Sequence, residues 1–466
     1  VTIDILPDDV LLVIFDYYVA EADKDRKYEE WQRLVHVCQK WRYVAFRSPL
    51  RLNLRILCSS RKPVKEKLAI WPPLPIIIRQ YALLTLKHQI IAALGHSDRV
   101  LEIALAIPSS LLERVFAAMQ KTFATLKDLR LHATDDKAPA VSDDSFLGGS
   151  APHLRYLWLN HIQFPFPVLR NLLLSAPNLI FLTLCDIPHS GYFSPEAMVT
   201  YLSALTGLKH LCIEFKSPRS RPPTREGRHP PPSPPTRSVL PALTELRFIG
   251  VSEYLEDLVT RIDTPLLDSF PVIFFHQLIF DTPQLVQFIS RTPTLNAYDE
   301  ARVIFSVLRA TIALRRDNQG LQLGISCRQS DWQLSSLAQV CTSFFPRALF
   351  PMGHLYILEN KFSRPLWQDD LENNQWLELF HPFTTVKNLY LSREFVPRIV
   401  PILQELVGER VTEVLPNLQS IFLEDLQESE SVPESMRQFI AARRLSSRPI
   451  AISHWTIPDN WATTFY

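Results

Sequence analysis

Six cysteines, thirteen histidines and the adjacent carboxylates Asp143 and Asp144 are the side chains with which this chain could hold a metal, attack a carbonyl or move a proton. Their spacing supports none of these. Cys38, Cys58, Cys185, Cys212, Cys327 and Cys341 are scattered singly through apolar sequence, with no C-x-x-C pair and no dense framework, and read as reduced, buried thiols. The histidines are spread along the chain. His153, His161 and His210 fall beside strand-like segments, where a satisfied surface or loop histidine is far commoner than a ligand. Asp143-Asp144 reads as a solvated loop rather than a general acid/base pair. No G-x-S-x-G, H-E-x-x-H, G-x-G-x-x-G or G-x-x-x-x-G-K occurs, and eleven glycines leave little material for a phosphate-cradling loop. We therefore expect no catalytic centre, no metal and no cofactor.

Composition narrows the classes further. With 466 residues and 47% hydrophobic content the chain can bury large cores. Its formal net charge of +1 gives no broad electrostatic grip on nucleic acid or on an anionic membrane. No run of about 18 uncharged apolar residues is available to span a bilayer. Asn-X-Ser/Thr is absent, and the cytosol or nucleus is the expected compartment.

Stepping along the chain, short apolar anchors recur: "LKDLRL" at Leu126, "LRYLWL" at Leu154, "LIFLTL" at Leu179, "LKHLCI" at Leu208, "LTELRF" at Leu243, "VKNLYL" at Val386 and "LQSIFL" at Leu418. The first five start 28, 25, 29 and 35 residues apart, a period at which L-x-x-L-x-L places alternate side chains in the core of a leucine-rich-repeat solenoid. Helical stretches lie between anchors, several ending on "APHL", "APNL", "TPTL" or "LPNL", where proline biases its predecessor out of the helix. Residues 266 to 360 hold weaker anchors, "LLDSF", "LNAY", "LQLGI" and "LYIL", expected to be degenerate repeats. A doubly wound nucleotide-binding sheet would need the glycines that this chain lacks.

The 216–237 stretch "KSPRSRPPTREGRHPPPSPPTR" carries eight prolines and six Lys or Arg against one Glu, which excludes a packed core. It is expected to be an exposed loop insertion that accounts for the 35-residue spacing. Its "PSPPTR" (Pro232, Pro235, Arg237) fits a polyproline-ligand pattern, although a tolerated solvated insertion is the plainer reading.

Two helical patterns open the chain. In "IDILPDDVLLVIFDYY" Pro7 starts a helix, Asp8 and Asp9 face its positive end, and a stripe runs through Leu11, Ile14, Phe15 and Tyr18. Val10, Leu12, Val13, Tyr17 and Val19 make this helix apolar nearly all round. "WQRLVHVCQKWRYVAF" follows as one helix with Trp31, Leu34, Val37, Cys38, Trp41 and Ala45 in line. So few helices cannot bury that surface among themselves, so either the rest of the chain or a partner's groove covers it.

"LPDDVLLVIF" followed by "LVHVCQKW" resembles the F-box, with the stretch between Phe15 and Trp41 about eight residues longer than in the motif's short form. Through "VCQKWRYVAFRSP" and "SEYLEDLVTRID" the whole chain resembles, more loosely, the large F-box receptor families of mushroom-forming fungi. The resemblance implies docking on a Skp-type adaptor through Leu6, Pro7, Leu11, Ile14, Phe15, Leu34, Val37, Cys38 and Trp41. Through that adaptor it implies cullin and RING subunits of an SCF ubiquitin ligase, with a protein target on the solenoid.

The expected fold is α+β overall. It comprises a small all-α F-box (1–50), a helical connector (51–98), an irregular α/β leucine-rich-repeat solenoid (99–425), and a C-terminal repeat and cap (426–466) that includes Trp455, Trp461 and Phe465. The alternative function is a ligase-independent interaction scaffold.

Overall fold

Helix α1 (Asp8–Ala20) begins directly after Pro7, whose carbonyl accepts from Leu11 N at 3.0 Å, with Asp8 and Asp9 in its first turn. The single helix expected from Trp31 to Phe46 is broken in two. Helix α2 (Trp31–Val35) stops, and α3 (Gln39–Arg47) starts after Cys38, which is extended (φ −156°, ψ 174°) and accepts from Trp41 N at its Sγ. A side chain that caps a new helix competes with continuing the old one, and β-branched Val37 weakens the helix at the same point.

The structure is a computed structural model that describes residues 5–20, 30–49, 51–58, 64–81, 87–141, 145–219, 237–277, 280–295, 298–316, 319–348, 352–360, 362–365, 373–406, 410, 413–424 and 434–458. Asp143, Asp144, most of the 216–237 insertion, Trp461 and Phe465 lie outside them. The chain divides into two units, Val1–Tyr192 and Phe193–Tyr466.

In the first unit the three helices lead into β1 (Ile56–Cys58), α4 (Val64–Ile70), β2 (Ile76–Tyr81), α5 (Lys87–Leu94), β3 (Val100–Ile107), α6 (Ser109–Ala118), β4 (Asp128–Ala133), β5 (Tyr156–Asn160), α7 (Phe166–Leu174) and β6 (Phe181–Ile187). Strands β1 to β6 pair in chain order, all parallel. This corrects the helical connector: residues 51–98 contain the first two strands of the repeat array. Ile76, Ile77 and Ile78 are all buried in β2, as β-branched side chains in a parallel sheet covered on both faces tend to be. The helices pack straight onto this first repeat. Trp31 Nε1 donates to Arg55 O at 2.9 Å, and the Trp31 and Trp71 rings meet edge to face at 5.2 Å.

The second unit contains α8 (Pro195–Leu202), β7 (His210–Phe215), β8 (Ser238–Val239), β9 (Glu245–Gly250), α9 (Ser252–Thr260), β10 (Ile262–Asp263), β11 (Ser269–Phe275), α10 (Pro283–Arg291), β12 (Glu300–Phe305), β13 (Arg309–Arg316), β14 (Gln319–Ser326), α11 (Ser330–Ala348), β15 (His354–Glu359), α12 (Asn373–Phe380), β16 (Asn388–Leu391), α13 (Val396–Gln404), β17 (Ser420–Glu424), α14 (Glu434–Leu445) and β18 (Ala451–Trp455). Its main sheet runs β7-β9-β11-β14-β13-β12-β15-β16-β17-β18, while β8 and β10 pair apart. The weak anchors "LLDSF", "LQLGI" and "LYIL" reach into β11, β14 and β15, whereas "LNAY" carries no strand among its described residues. The strand in that region is β12. Strand β13 runs antiparallel to both β12 and β14, an interruption of the parallel array that the repeat spacing does not announce.

Alternation does the packing. In β9, Leu246 and Phe248 turn inward and are fully buried while Glu245, Arg247 and Ile249 stay partly exposed. Each fully buried Leu, Ile or Phe stabilises the unit by about 1.5–3 kcal/mol relative to exposure. Polar side chains tie each repeat to its neighbour. Thr125, Asn178, Thr385 and Asn417, each just before an anchor, donate to carbonyls of the preceding repeat. Carboxylates cap helices across repeats: Asp135 accepts from Ser109 N at the start of α6, and Glu256 on α9 accepts from Gln284 N and Leu285 N of α10 at 2.9 and 2.8 Å. Burial pushes the Glu256 carboxyl up to about 7 against the opposing pull of those two N–H groups.

Candidate protein-interaction surfaces

The nine residues expected to face an adaptor do not form one exposed surface. Leu11 and Phe15 are fully buried, and Leu34 and Trp41 join them in the interior of the helical segment, where the Phe15 and Trp41 rings meet at 4.9 Å. These four hold the helices together and are not available as a free docking face, a correction with a plain cause: the innermost stripe of α1 has to bury against α3. Leu6 and Cys38 are half-buried, Leu6 tied by Lys40 Nζ donating to its carbonyl at 2.6 Å and Cys38 capping α3. Pro7, Ile14 and Val37 are exposed.

Beside Ile14 stands a second stripe that the sequence reading passed over. Val10, Val13, Ile14 and Tyr17 follow i, i+3, i+4 and i+7, which is one face of a helix, and all four are exposed, Tyr17 at 69% and Val13 at 47%. Tyr43 on α3 is exposed as well. The signal was present: a helix apolar nearly all round has two apolar faces, and only one can be spent on its own fold. Helix α1 is further held by an exposed pair in which Asp16 accepts from Arg51 Nε and Nη2 at 3.0 and 2.9 Å. An exposed i, i+3, i+4, i+7 stripe on a braced helix suits insertion into an apolar groove of another protein.

The open face of the second unit's main sheet is the other surface. Along one register row lie Arg247, Pro271, Gln322, Ala313, Arg302, Tyr356, Tyr390 and Phe422. The row changes character along its length. Tyr356 stacks on Tyr390 at 4.1 Å and Tyr390 on Phe422 at 4.4 Å, with Trp455 5.3 Å from Tyr390 and donating from Nε1 to Leu391 O. Ile304, Tyr356 and Leu358 form a buried apolar cluster against which the half-buried Tyr390, Trp455 and Ile457 pack. Stacked neighbours on adjacent strands stabilise a sheet by about 0.2–1 kcal/mol per pair. At the other end a cleft lies among Arg247, Ile273, Arg309, Thr311 and Arg315.

None of the six cysteines forms a disulfide, and burial pushes the Cys58 thiol up to about 11 and the Cys341 thiol up as well. His161 sits at positive φ with Nε2 3.0 Å from Asp136 O, and His210 Nδ1 lies 2.9 Å from Glu245 Oε2. His153 is exposed. Among the described residues no helix is long and apolar enough to cross a membrane.

No family model and no curated protein matches this chain. Among solved structures it is similar to the leucine-rich repeat-containing protein LegL7 from Legionella pneumophila, at 14% identity over 78% of this chain and 96% of that one, with a TM-score of 0.28. It is also similar to the complex of Rad7 and Elc1 from yeast, at 14% identity over 94% of both chains, with a TM-score of 0.29. Superpositions at these scores carry no argument. The α/β leucine-rich-repeat architecture stands on the strand order and register of the two units.

Proposed function

We propose that this chain is the substrate-recognition subunit of an SCF-type ubiquitin ligase. In this reading the N-terminal helices are an F-box that docks on a Skp-type adaptor, and through it on cullin and RING subunits. The repeats hold a protein target. The chain itself is not an enzyme; it raises the effective concentration of target lysines near a charged conjugating enzyme, in cytoplasm or nucleus. The F-box-like phrases "LPDDVLLVIF" and "LVHVCQKW" support it, as does the looser resemblance of "VCQKWRYVAFRSP" and "SEYLEDLVTRID" to receptor families of mushroom-forming fungi. The observation that carries it is the uncovered stripe Val10, Val13, Ile14 and Tyr17, apolar surface that the chain's own fold leaves in water.

Co-expression with a Skp-type adaptor followed by size-exclusion chromatography tests the reading. A stoichiometric complex is expected, and Val13→Asp with Tyr17→Ala is expected to abolish it, because a charge then enters a dry interface that has also lost an aromatic anchor. Clean separation of the wild-type chain from the adaptor would leave the ligase-independent scaffold in its place.

A further inference from the structure

The face of the second unit's sheet that holds the arginine-lined cleft carries more positive charge than the chain neutralises. On β13 Arg309, Thr311, Ala313 and Arg315 share the face that lines the cleft, opposite to that of Ala310, Ile312 and Leu314; Arg309 and Arg315 are half-buried, and Thr311 and Ala313 between them are buried. Arg309 and Arg315 therefore stand at opposite ends of one strand, roughly 20 Å apart along it, and both line the same cleft. No carboxylate lines that cleft. Its third arginine, Arg247, is paired with Glu214 at 2.6 Å. Glu300, the residue opposite Arg315 on β12, is ion-paired with Arg302 and its charge also acts on Arg315, so one carboxylate serves two arginines. Among the described residues no side-chain hydrogen bond or ion pair is made by Arg309 or Arg315.

The floor between them is kept low. It consists of Thr311 and Ala313, and Thr311 packs against Gly324 on β14, where a Cβ would stand 2.7 Å from Thr311 Cγ2. The cleft is about 70 Å³, enough for several waters or a carboxylate head group. A guanidinium partly removed from water and without an acceptor has lost hydration that an incoming anion would restore. Two arginines about six residues apart on one strand can each take a carboxylate bidentately with the planar guanidinium fork. At one side of the cleft Ile304 leads into the apolar cluster of Tyr356 and Leu358.

We infer that an extended acidic peptide segment of a partner protein lies across the mouth of this cleft, with two carboxylates about six residues apart meeting Arg309 and Arg315 and an apolar side chain beside Ile304. The inference rests on the target-holding part of the proposed function and is independent of the adaptor contact.

The test is fluorescence anisotropy with the full chain. The probe is a fluorescein-labelled peptide of about a dozen residues carrying two glutamates six residues apart and leucine beside one of them. Saturable binding is expected, weakened about tenfold or more when both glutamates become glutamine, and to a similar degree in Arg309→Gln/Arg315→Gln. Arg33→Gln, an exposed arginine of the helical segment, is expected to leave it unchanged. Arg309→Gln alone serves if the double variant melts early. Equal binding of the glutamine peptide, an unaffected arginine variant, or binding only when phosphoserine replaces glutamate would overturn the inference. Binding retained in Val13→Asp/Tyr17→Ala, which is expected to lose the adaptor, keeps failure of the receptor reading separate from failure of this one.

Discussion

Helix α1 and strand β9 both carry apolar side chains in regular alternation, and they dispose of them differently. In β9 the inward residues Leu246 and Phe248 are sealed, and the outward ones are led by the charged Glu245 and Arg247. In α1 the inward residues Leu11 and Phe15 are sealed just as completely, but the outward ones are Val10, Val13, Ile14 and Tyr17. The repeats bury apolar surface for themselves. The helical segment buries half for itself and leaves half uncovered. The same contrast recurs between the sheets in charge rather than hydrophobicity. In the first unit Arg79 pairs with Glu102 and Arg130 with Asp128, whereas in the second unit Arg302 and Arg315 share Glu300 and Arg309 makes no ion pair among the described residues. In both contrasts the chain's own folding is satisfied on one side and leaves something over on the other.

The comparison breaks most visibly at the sealed side chains. Phe15→Ala and Phe248→Ala each empty a fully buried ring site and are expected to cost about 3–5 kcal/mol. Phe248 lies 6.3 Å from Phe215 and stacks on Tyr254 at 5.8 Å, so its loss is expected to lower the urea midpoint of the repeats followed by circular dichroism. Phe15 packs on Trp41, so its loss is expected to remove hydrogen-exchange protection from residues 8–47 while β3 to β6 keep theirs. Deprotection of those strands in Phe15→Ala would mean that the helices and repeats are one cooperative body.

A second effect belongs to the repeats alone. Glu256 gives up its proton near pH 4.5 when unfolded and near 7 when folded, because burial outweighs the two N–H groups of α10 that it caps. Between those values the folded chain binds the extra proton. The contribution of this group is therefore fully present below about pH 4.5 and is lost as pH rises through 7, by an amount on the order of 3 kcal/mol. Urea midpoints between pH 4.5 and 8 are expected to fall more steeply for the wild type than for Glu256→Gln, which has no proton to lose. Parallel slopes would place the carboxyl in its ordinary range.

What the sequence made legible follows from how each element is specified. The anchors at Leu126, Leu154, Leu179, Leu208 and Leu243 were readable because period-two burial and the prolines between helix and anchor are both local signals. Inside the connector expected to be helical, "IIIRQY" forms a strand, because a short continuous apolar run has no period and only its β-branched content favours that outcome. The break at Cys38 had neither glycine nor proline to mark it. The antiparallel β13 lies where the repeat spacing fails, and its cue was the turn-forming "DNQG" between Leu314 and Leu321 rather than any anchor. The candidate site was half legible. All-round apolarity revealed that α1 has a surplus, but which stripe turns inward depends on α3, and that is tertiary information.

The smallest expected effect sharpens the comparison furthest. If the outer stripe of α1 contributes nothing to the chain's own fold, Val13→Asp is expected to leave the stability of the isolated chain within about 0.5 kcal/mol, as surface substitutions generally do. Phe15→Ala, two residues away on the same helix, is expected to cost several-fold more. Val13 is 47% exposed and Phe15 fully buried, so the two differ in what covers them and hardly at all in helix propensity or position. Equal destabilisation in urea would mean that Val13 is covered by the chain in solution and that α1 has no spare face. Near-neutrality, measured on the protein whose adaptor binding is also assayed, separates a side chain kept for a partner from one kept for folding.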